Sequence, residues 1–115
     1  MENNQDPVQN ILLELRRGVI AIAVLSQLIE EQYGYSLLKL LSEQGLEVDQ
    51  GTLYPLMRRL EAQGLLQSDW RIVEDARPRR YYVLSPEGIN AVNQLTVEWN
   101  GIVSTLQNML SNQTK

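Results

Sequence analysis

Gly51-Thr52-Leu53-Tyr54-Pro55-Leu56-Met57-Arg58-Arg59-Leu60-Glu61-Ala62-Gln63-Gly64 is the stretch that decides the fold. Leu53, Leu56, Met57 and Leu60 recur at the three- and four-residue steps of one helix face. Pro55 limits where that helix begins, because a proline deep in a helix removes a hydrogen bond and clashes with the carbonyl four residues back. The spacing predicts a helix over 52–63, starting near Gly51 or Thr52 with Pro55 in its first turn, and Gly64 ending it. With the apolar stripe turned inward, Tyr54 and Arg58 lie four residues apart on the other side and point the same way.

Helical spacing recurs on both sides of this stretch. Upstream, Tyr35–Gln44 has Leu37, Leu38, Leu40 and Leu41 on its inner side, and Gly45 is a natural stop. Before it, Asp6-Pro7 pairs a capping carboxylate with proline at the first helical position. Val8, Leu12, Leu15, Val19 and Ile22, then Leu25 and Ile29, follow at helical spacing until Gly34 breaks the pattern. Val19–Leu25 is apolar all round, which predicts a helix at the buried centre of the domain. Downstream, Leu65–Val73 and Arg79–Leu84 are β-like runs joined by the polar Glu74-Asp75-Ala76-Arg77-Pro78, a hairpin pattern. Ser85-Pro86-Glu87 repeats the cap-then-proline signal and opens a last helix. There Val92, Leu95, Trp99, Ile102, Leu106 and Met109 form a heptad seam that packs on another chain or on the first helix.

Helix, helix, helix, hairpin and long helix is the order of a winged helix-turn-helix. The expected class is mainly α (α+β), with an N-terminal helix and a long C-terminal dimerisation helix. The expected organisation is a disordered tail over 1–5, a winged helix-turn-helix DNA-binding domain over 6–85, a dimerisation helix over 86–111 and a tail over 112–115.

Composition removes whole classes of function. The chain has neither cysteine nor histidine, so thiolate metal sites, cysteine nucleophiles and a Ser-His-Asp triad are ruled out. The remaining carboxylates, lysines, serines and tyrosines sit in no catalytic motif; the expectation is no enzyme, no cofactor and no metal. The polar, acidic Met1–Asp6 is not a signal peptide. The longest apolar run, Val19–Leu25, falls far short of the roughly 20 residues that span a bilayer. A cytoplasmic location follows. The net charge of −4 speaks against a nucleic-acid partner, yet six of the ten basic residues fall between 58 and 80. Screening confines each charge to about 8–10 Å, so a local basic face can exist within an acidic total.

The residues Gly51-Thr52-Leu53-Tyr54-Pro55-Leu56, Arg59-Leu60-Glu61 and Gly64-Leu65-Leu66 resemble the third helix of the PadR family of transcriptional regulators. Arg17-Gly18, Gly34-Tyr35, Arg79-Arg80-Tyr81-Tyr82 and Leu84-Ser85-Pro86-Glu87-Gly88 agree with it in order and spacing. The single C-terminal helix is similar to the short branch of the family. The resemblance implies a homodimeric DNA-binding repressor whose last helix packs with the partner's first. Two departures stand out: Tyr33 where the family often has histidine, and an acidic wing tip, Glu74-Asp75, where it is often glycine-rich and basic.

The candidate DNA-binding residues follow from the elements and from this resemblance. Tyr54 and Arg58 face a groove from the third helix, unless Arg58 is a solvated charge pairing with Glu61. Gln50 and Thr52 stand at the helix start, where free N–H groups attract phosphate, and Thr52 is equally readable as a cap. Tyr35 and Lys39 lie on the helix that crosses the DNA backbone, with packing the other reading for Tyr35. Arg77 and Arg79 lie along phosphates or balance Glu74 and Asp75; alternation turns Arg80 to the opposite face. Trp99, with Val92 and Val103, is interface core or, as the resemblance implies, lines a pore for a flat apolar effector. The expected partners are a palindromic double-stranded operator and a second copy of the chain. The expected function is a repressor relieved by a small apolar or aromatic ligand. The alternative is a winged-helix protein-interaction module, motivated by the acidic total and the acidic wing.

Overall fold

The computed structural model describes residues 6–72 and 77–112. The tail over 1–5, residues 113–115 of the C-terminal tail and the wing-tip acids Glu74 and Asp75 lie outside them. The element order is α1 (Pro7–Gln27), β1 (Gln32–Tyr33), α2 (Gly34–Glu43), α3 (Gln50–Ala62), β2 (Leu66–Arg71), β3 (Arg79–Leu84) and α4 (Pro86–Ser111). The fold is mainly helical, with one small antiparallel sheet in the order β1-β3-β2. The hairpin register pairs Leu66 with Leu84 and Arg71 with Arg79, and Gln32 and Tyr33 pair with Tyr82 and Tyr81.

Local chemistry sets most of the boundaries. The Asp6 carboxylate accepts from the Val8 N–H at 3.0 Å and starts α1. The Ser85 hydroxyl accepts from the Gly88 N–H at 3.0 Å and starts α4. At the ends of α2 and α3, Gly45 and Gly64 adopt φ of 99° and 84°, the left-handed region that glycine enters without penalty. In both, the next residue's N–H reaches back to the helix, Leu46 to the Leu41 carbonyl and Leu65 to the Leu60 carbonyl.

Tertiary structure moves several elements. α1 stops at Gln27, leaving Leu28 fully buried and Ile29 exposed. Only its second half enters the core, through Ile20, Val24 and Leu25; Val8, Ile11, Leu12 and Leu15 are exposed. The two residues of β1 carry no periodicity of their own and are a strand only because β3 pairs with them. α3 starts at Gln50, earlier than the proline rule indicates, so Pro55 sits in its second turn. The proline ring is on the exposed side, where the missing hydrogen bond faces solvent. β2 is shorter than Leu65–Val73.

The core joins Val24, Leu25 and Leu28 of α1 and its end to Leu37 and Leu41 of α2, Leu53, Leu56, Met57 and Leu60 of α3, and Leu66, Tyr82 and Leu84 of the hairpin. The seam of α4 divides over its length. Val92 and Leu95 pack against this core, whereas Trp99 is 40% exposed and Ile102 58% exposed. At the root of α4, a Cβ on Gly88 would lie 2.1 Å from the Leu65 carbonyl oxygen. Backbone occupies that space, so no rotamer relieves the clash. Gly88→Ala is expected to destabilise the fold by at least about 2 kcal/mol, read from the urea midpoint, whereas Gly101→Ala, with open space around it, is neutral or stabilising.

Candidate nucleic-acid interface

Three elements enclose a cleft: the outward side of α3, the first turn of α2 and the wing, from both of its strands. Tyr35, Tyr54, Arg58, Trp70, Arg77, Arg79 and Arg80 line it, and no carboxylate does among the described residues. Tyr54 is positioned by contact: a Cβ on Gly34 would lie 2.6 Å from Tyr54 Cε1, so the tyrosine packs directly on the start of α2. Arg58 lies one turn further along α3, exposed and without an ion pair among the described residues.

The wing arginines divide into two pairs by their partners. Arg80 faces inward and is held: its Nη2 donates to Glu61 Oε1 at 2.8 Å, and its Nε donates to Ser68 Oγ at 3.0 Å. The Ser68 hydroxyl donates to the other Glu61 oxygen at 2.6 Å, which closes a link between α3 and the hairpin. Glu61 is therefore the partner of Arg80, not of Arg58. Arg71 is likewise committed. It forms a bidentate pair with Glu31, contacts Asp69 at 3.4 Å, and lies 4.7 Å over the Tyr81 ring. Its guanidinium holds the Glu31 carboxyl below the usual carboxylate range. Arg79, on the outer face, lies 4.3 Å over Tyr33, whose ring meets Tyr81 edge-on at 5.5 Å. Neither Arg77 nor Arg79 has a carboxylate partner among the described residues.

The other residues singled out in the sequence stand apart from the cleft. Lys39 lies one turn beyond Tyr35, in a shallow depression with Gln32, Ser36 and Glu43. Gln50 is the exposed first residue of α3. Thr52 faces the α1 flank beside Arg16 and Arg17. Its hydroxyl donates to Asp49 Oδ1 at 2.8 Å and, with the Gly51 and Thr52 N–H groups, holds that carboxyl below its ordinary range. The start of α3 thus already carries the chain's own negative charge. In α4, Trp99 shares an apolar pocket of about 230 Å³ with Val19, Ile22 and Ala23 of α1. Val103 is half-buried, and neither it nor Val92 lines that pocket. Trp70 is not among the residues singled out in the sequence, and Tyr33 stands there only as a departure from the family pattern; strand alternation from Leu66 would have placed Trp70 on the inner face.

A family model described as the transcriptional regulator PadR-like family matches residues 22–94. The chain belongs to the PadR family. It is 40% identical over 82 residues to "Transcriptional regulator Rv3488" of Mycobacterium tuberculosis, covering 70% of this chain and 76% of that protein. A PadR family transcriptional regulator from Eggerthella lenta has a similar structure, with TM-score 0.82 and 43% identity over 90% of this chain and 91% of its own. Bacillus subtilis PadR, solved in complex with operator DNA, shares the fold at TM-score 0.64 and 20% identity, over 69% of this chain and 48% of that one. This PadR-family chain is thus a transcriptional regulator with a winged helix-turn-helix fold, not an enzyme. No helix among its described residues is long and apolar enough to cross a membrane.

The partners of each arginine separate structural from exposed charges. Arg80→Met, which strands Glu61 and Ser68, is expected to cost about 1–2 kcal/mol of stability. Arg58→Met is expected to stay within about 0.5 kcal/mol. Urea unfolding of both variants checks this; equal losses would contradict the assignment.

Proposed function

We propose that this regulator is a homodimeric, sequence-specific DNA-binding protein acting as a repressor in the cytoplasm, and that the cleft between α3 and the wing receives one DNA strand. The observation that carries the reading is the cleft itself: four arginines, four tyrosines and Gly34 lining it without a carboxylate among the described residues, in a chain of net charge −4. That arrangement concentrates positive potential where a polyanion would lie. Tyr54 and Arg58 enter the major groove, Arg58 to a guanine or a phosphate and the Tyr54 hydroxyl to a phosphate. Arg77 and Arg79 follow the backbone from the wing, and Tyr35 donates to it from α2. Lys39, Gln50 and Thr52 stand outside this cleft, where contact is water-mediated or absent.

The dimer reading rests on apolar surface. Ile102, Leu106 and Met109 on α4 and Ile11, Leu12 and Leu15 on α1 remain exposed in the single chain, a patch of the kind that marks an interface. A two-fold dimer calls for a palindromic operator with half-sites one or more helical turns apart. The Trp99 pocket, at about 230 Å³, is smaller than the roughly 300 Å³ of an ordinary small-molecule site. A second copy would complete it, and Val92 and Val103 would take part only beyond its rim. A flat apolar effector bound there would favour a dimer whose two reading helices no longer match the half-site spacing, relieving repression.

Two measurements test this. Purified protein binds a duplex from the region upstream of its own gene with a steep salt dependence. Arg58→Ala with Tyr54→Phe weakens that binding at least about tenfold and reduces the log–log salt slope by about 1. Unaltered binding would remove the assigned reading surface. Light scattering gives wild-type protein twice the 13.2 kDa chain mass, and Ile102→Glu with Leu106→Glu gives the single-chain mass; a dimer that survives both glutamates would place the interface elsewhere.

A further inference from the structure

Trp70 has no role in the core. It lies on the inner face of β2, 64% exposed, in line with Leu66 and Ser68 but beyond the last buried residue. Its register partner on β3 is Arg80, whose guanidinium lies over the indole at 5.8 Å from the ring centroid. Because Glu61 and Ser68 hold Arg80, the ring is backed by a fixed cation and open to the cleft. Two residues on, just past the end of the strand, Ile72 is 70% exposed. This apolar surface is separate from that of α1 and α4. β2 begins at Leu66, opposite Leu84 at the root of α4, and Trp70 sits four residues further toward the hairpin tip, roughly 13 Å away.

The neighbours of the ring indicate what covers it. Arg58 and Arg77 share the cleft with Trp70, and the described lining contains no acid. A second copy seated here would set arginines against arginines, which is repulsive. A nucleic-acid strand matches the pattern: each phosphate takes a cation, and the sugar between phosphates offers only C–H groups. Resting on the DNA-binding reading above, we propose that Trp70 is a DNA-contacting residue of the wing, its indole packed on a deoxyribose of the strand whose phosphates pair with Arg58 and Arg77. Its rigid ring loses little conformational entropy on contact, which makes it an effective anchor.

The test uses full-length protein and a duplex recovered with the wild type from a pool with a random 30-base-pair core. Trp70→Ala is expected to weaken binding about tenfold or more while leaving the log–log salt slope unchanged, because an apolar contact releases no counterion. Trp70→Phe recovers most of the affinity. The change in tryptophan emission that the duplex produces in the wild type is absent from Trp70→Phe. Wild-type affinity in Trp70→Ala overturns the proposal, as does a slope reduced by about 1, which would trace the loss to a displaced arginine. A loss reproduced in the wild type by replacing thymine with uracil would move the contact to a base methyl and overturn the sugar assignment. A concentration-dependent emission change without DNA that is present in the wild type and lost in Trp70→Phe, where Trp99 remains, would assign the ring to self-association. A wild type that recovers no duplex overturns the DNA reading itself, and this contact with it.

Discussion

The contact between Gly88 and the Leu65 carbonyl fixes how the two halves of the molecule meet. Around it the Leu84 N–H donates to the Leu28 carbonyl at 2.8 Å, the Ser85 N–H to the Leu65 carbonyl at 3.0 Å, and the Ser85 hydroxyl to the Gly64 carbonyl at 2.6 Å. These bonds gather the end of α1, the turn after α3, the end of the wing and the start of α4 into one junction. Only a residue without a side chain lets α4 approach so closely. The consequence is mechanical: a helix that carries the unpartnered apolar seam is tied to the helix that carries Tyr54 and Arg58. In the proposed dimer, a change in how the two α4 helices pack would therefore alter the separation of the two α3 helices.

Electrostatics acts by partition rather than by total. Arg71 and Arg80 are absorbed by Glu31, Asp69 and Glu61, and their work is to hold the hairpin against β1 and α3. Arg58, Arg77 and Arg79 are left without carboxylate partners among the described residues and share one cleft. The ion pairs at Arg71 and Arg80 are half-exposed, so each contributes modestly to stability. Their larger effect is geometric, since they hold the wing beside α3 and so set the width of the cleft between them.

Features carried by short-range chemistry could be read from the sequence. Asp6-Pro7 and Ser85-Pro86 mark the starts of α1 and α4, and Gly45 and Gly64 mark the ends of α2 and α3, because caps and positive φ act within a few residues. Features carried by distant partners could not. β1 is a strand only beside β3. Arg80 meets Glu61 across nineteen positions with no spacing rule to announce it. The α4 seam shows one unbroken heptad pattern, yet Val92 and Leu95 cover the chain's own core while Ile102, Leu106 and Met109 lie beyond it and stay exposed in the single chain. Periodicity reports that a face is apolar, not what lies against it. For the same reason Tyr54, Arg58, Arg77 and Arg79 could be nominated one by one, whereas their convergence with Trp70 required the fold.

Hydrogen–deuterium exchange with and without duplex DNA tests most directly the claim that one surface reads DNA while another joins two copies. Protection of 97–111 of α4 is expected before DNA is added and unchanged by it, with new protection on 50–62 of α3 and 79–84 of the wing. Protection of α4 that arises only with DNA, or a DNA footprint that leaves α3 unchanged, would contradict it.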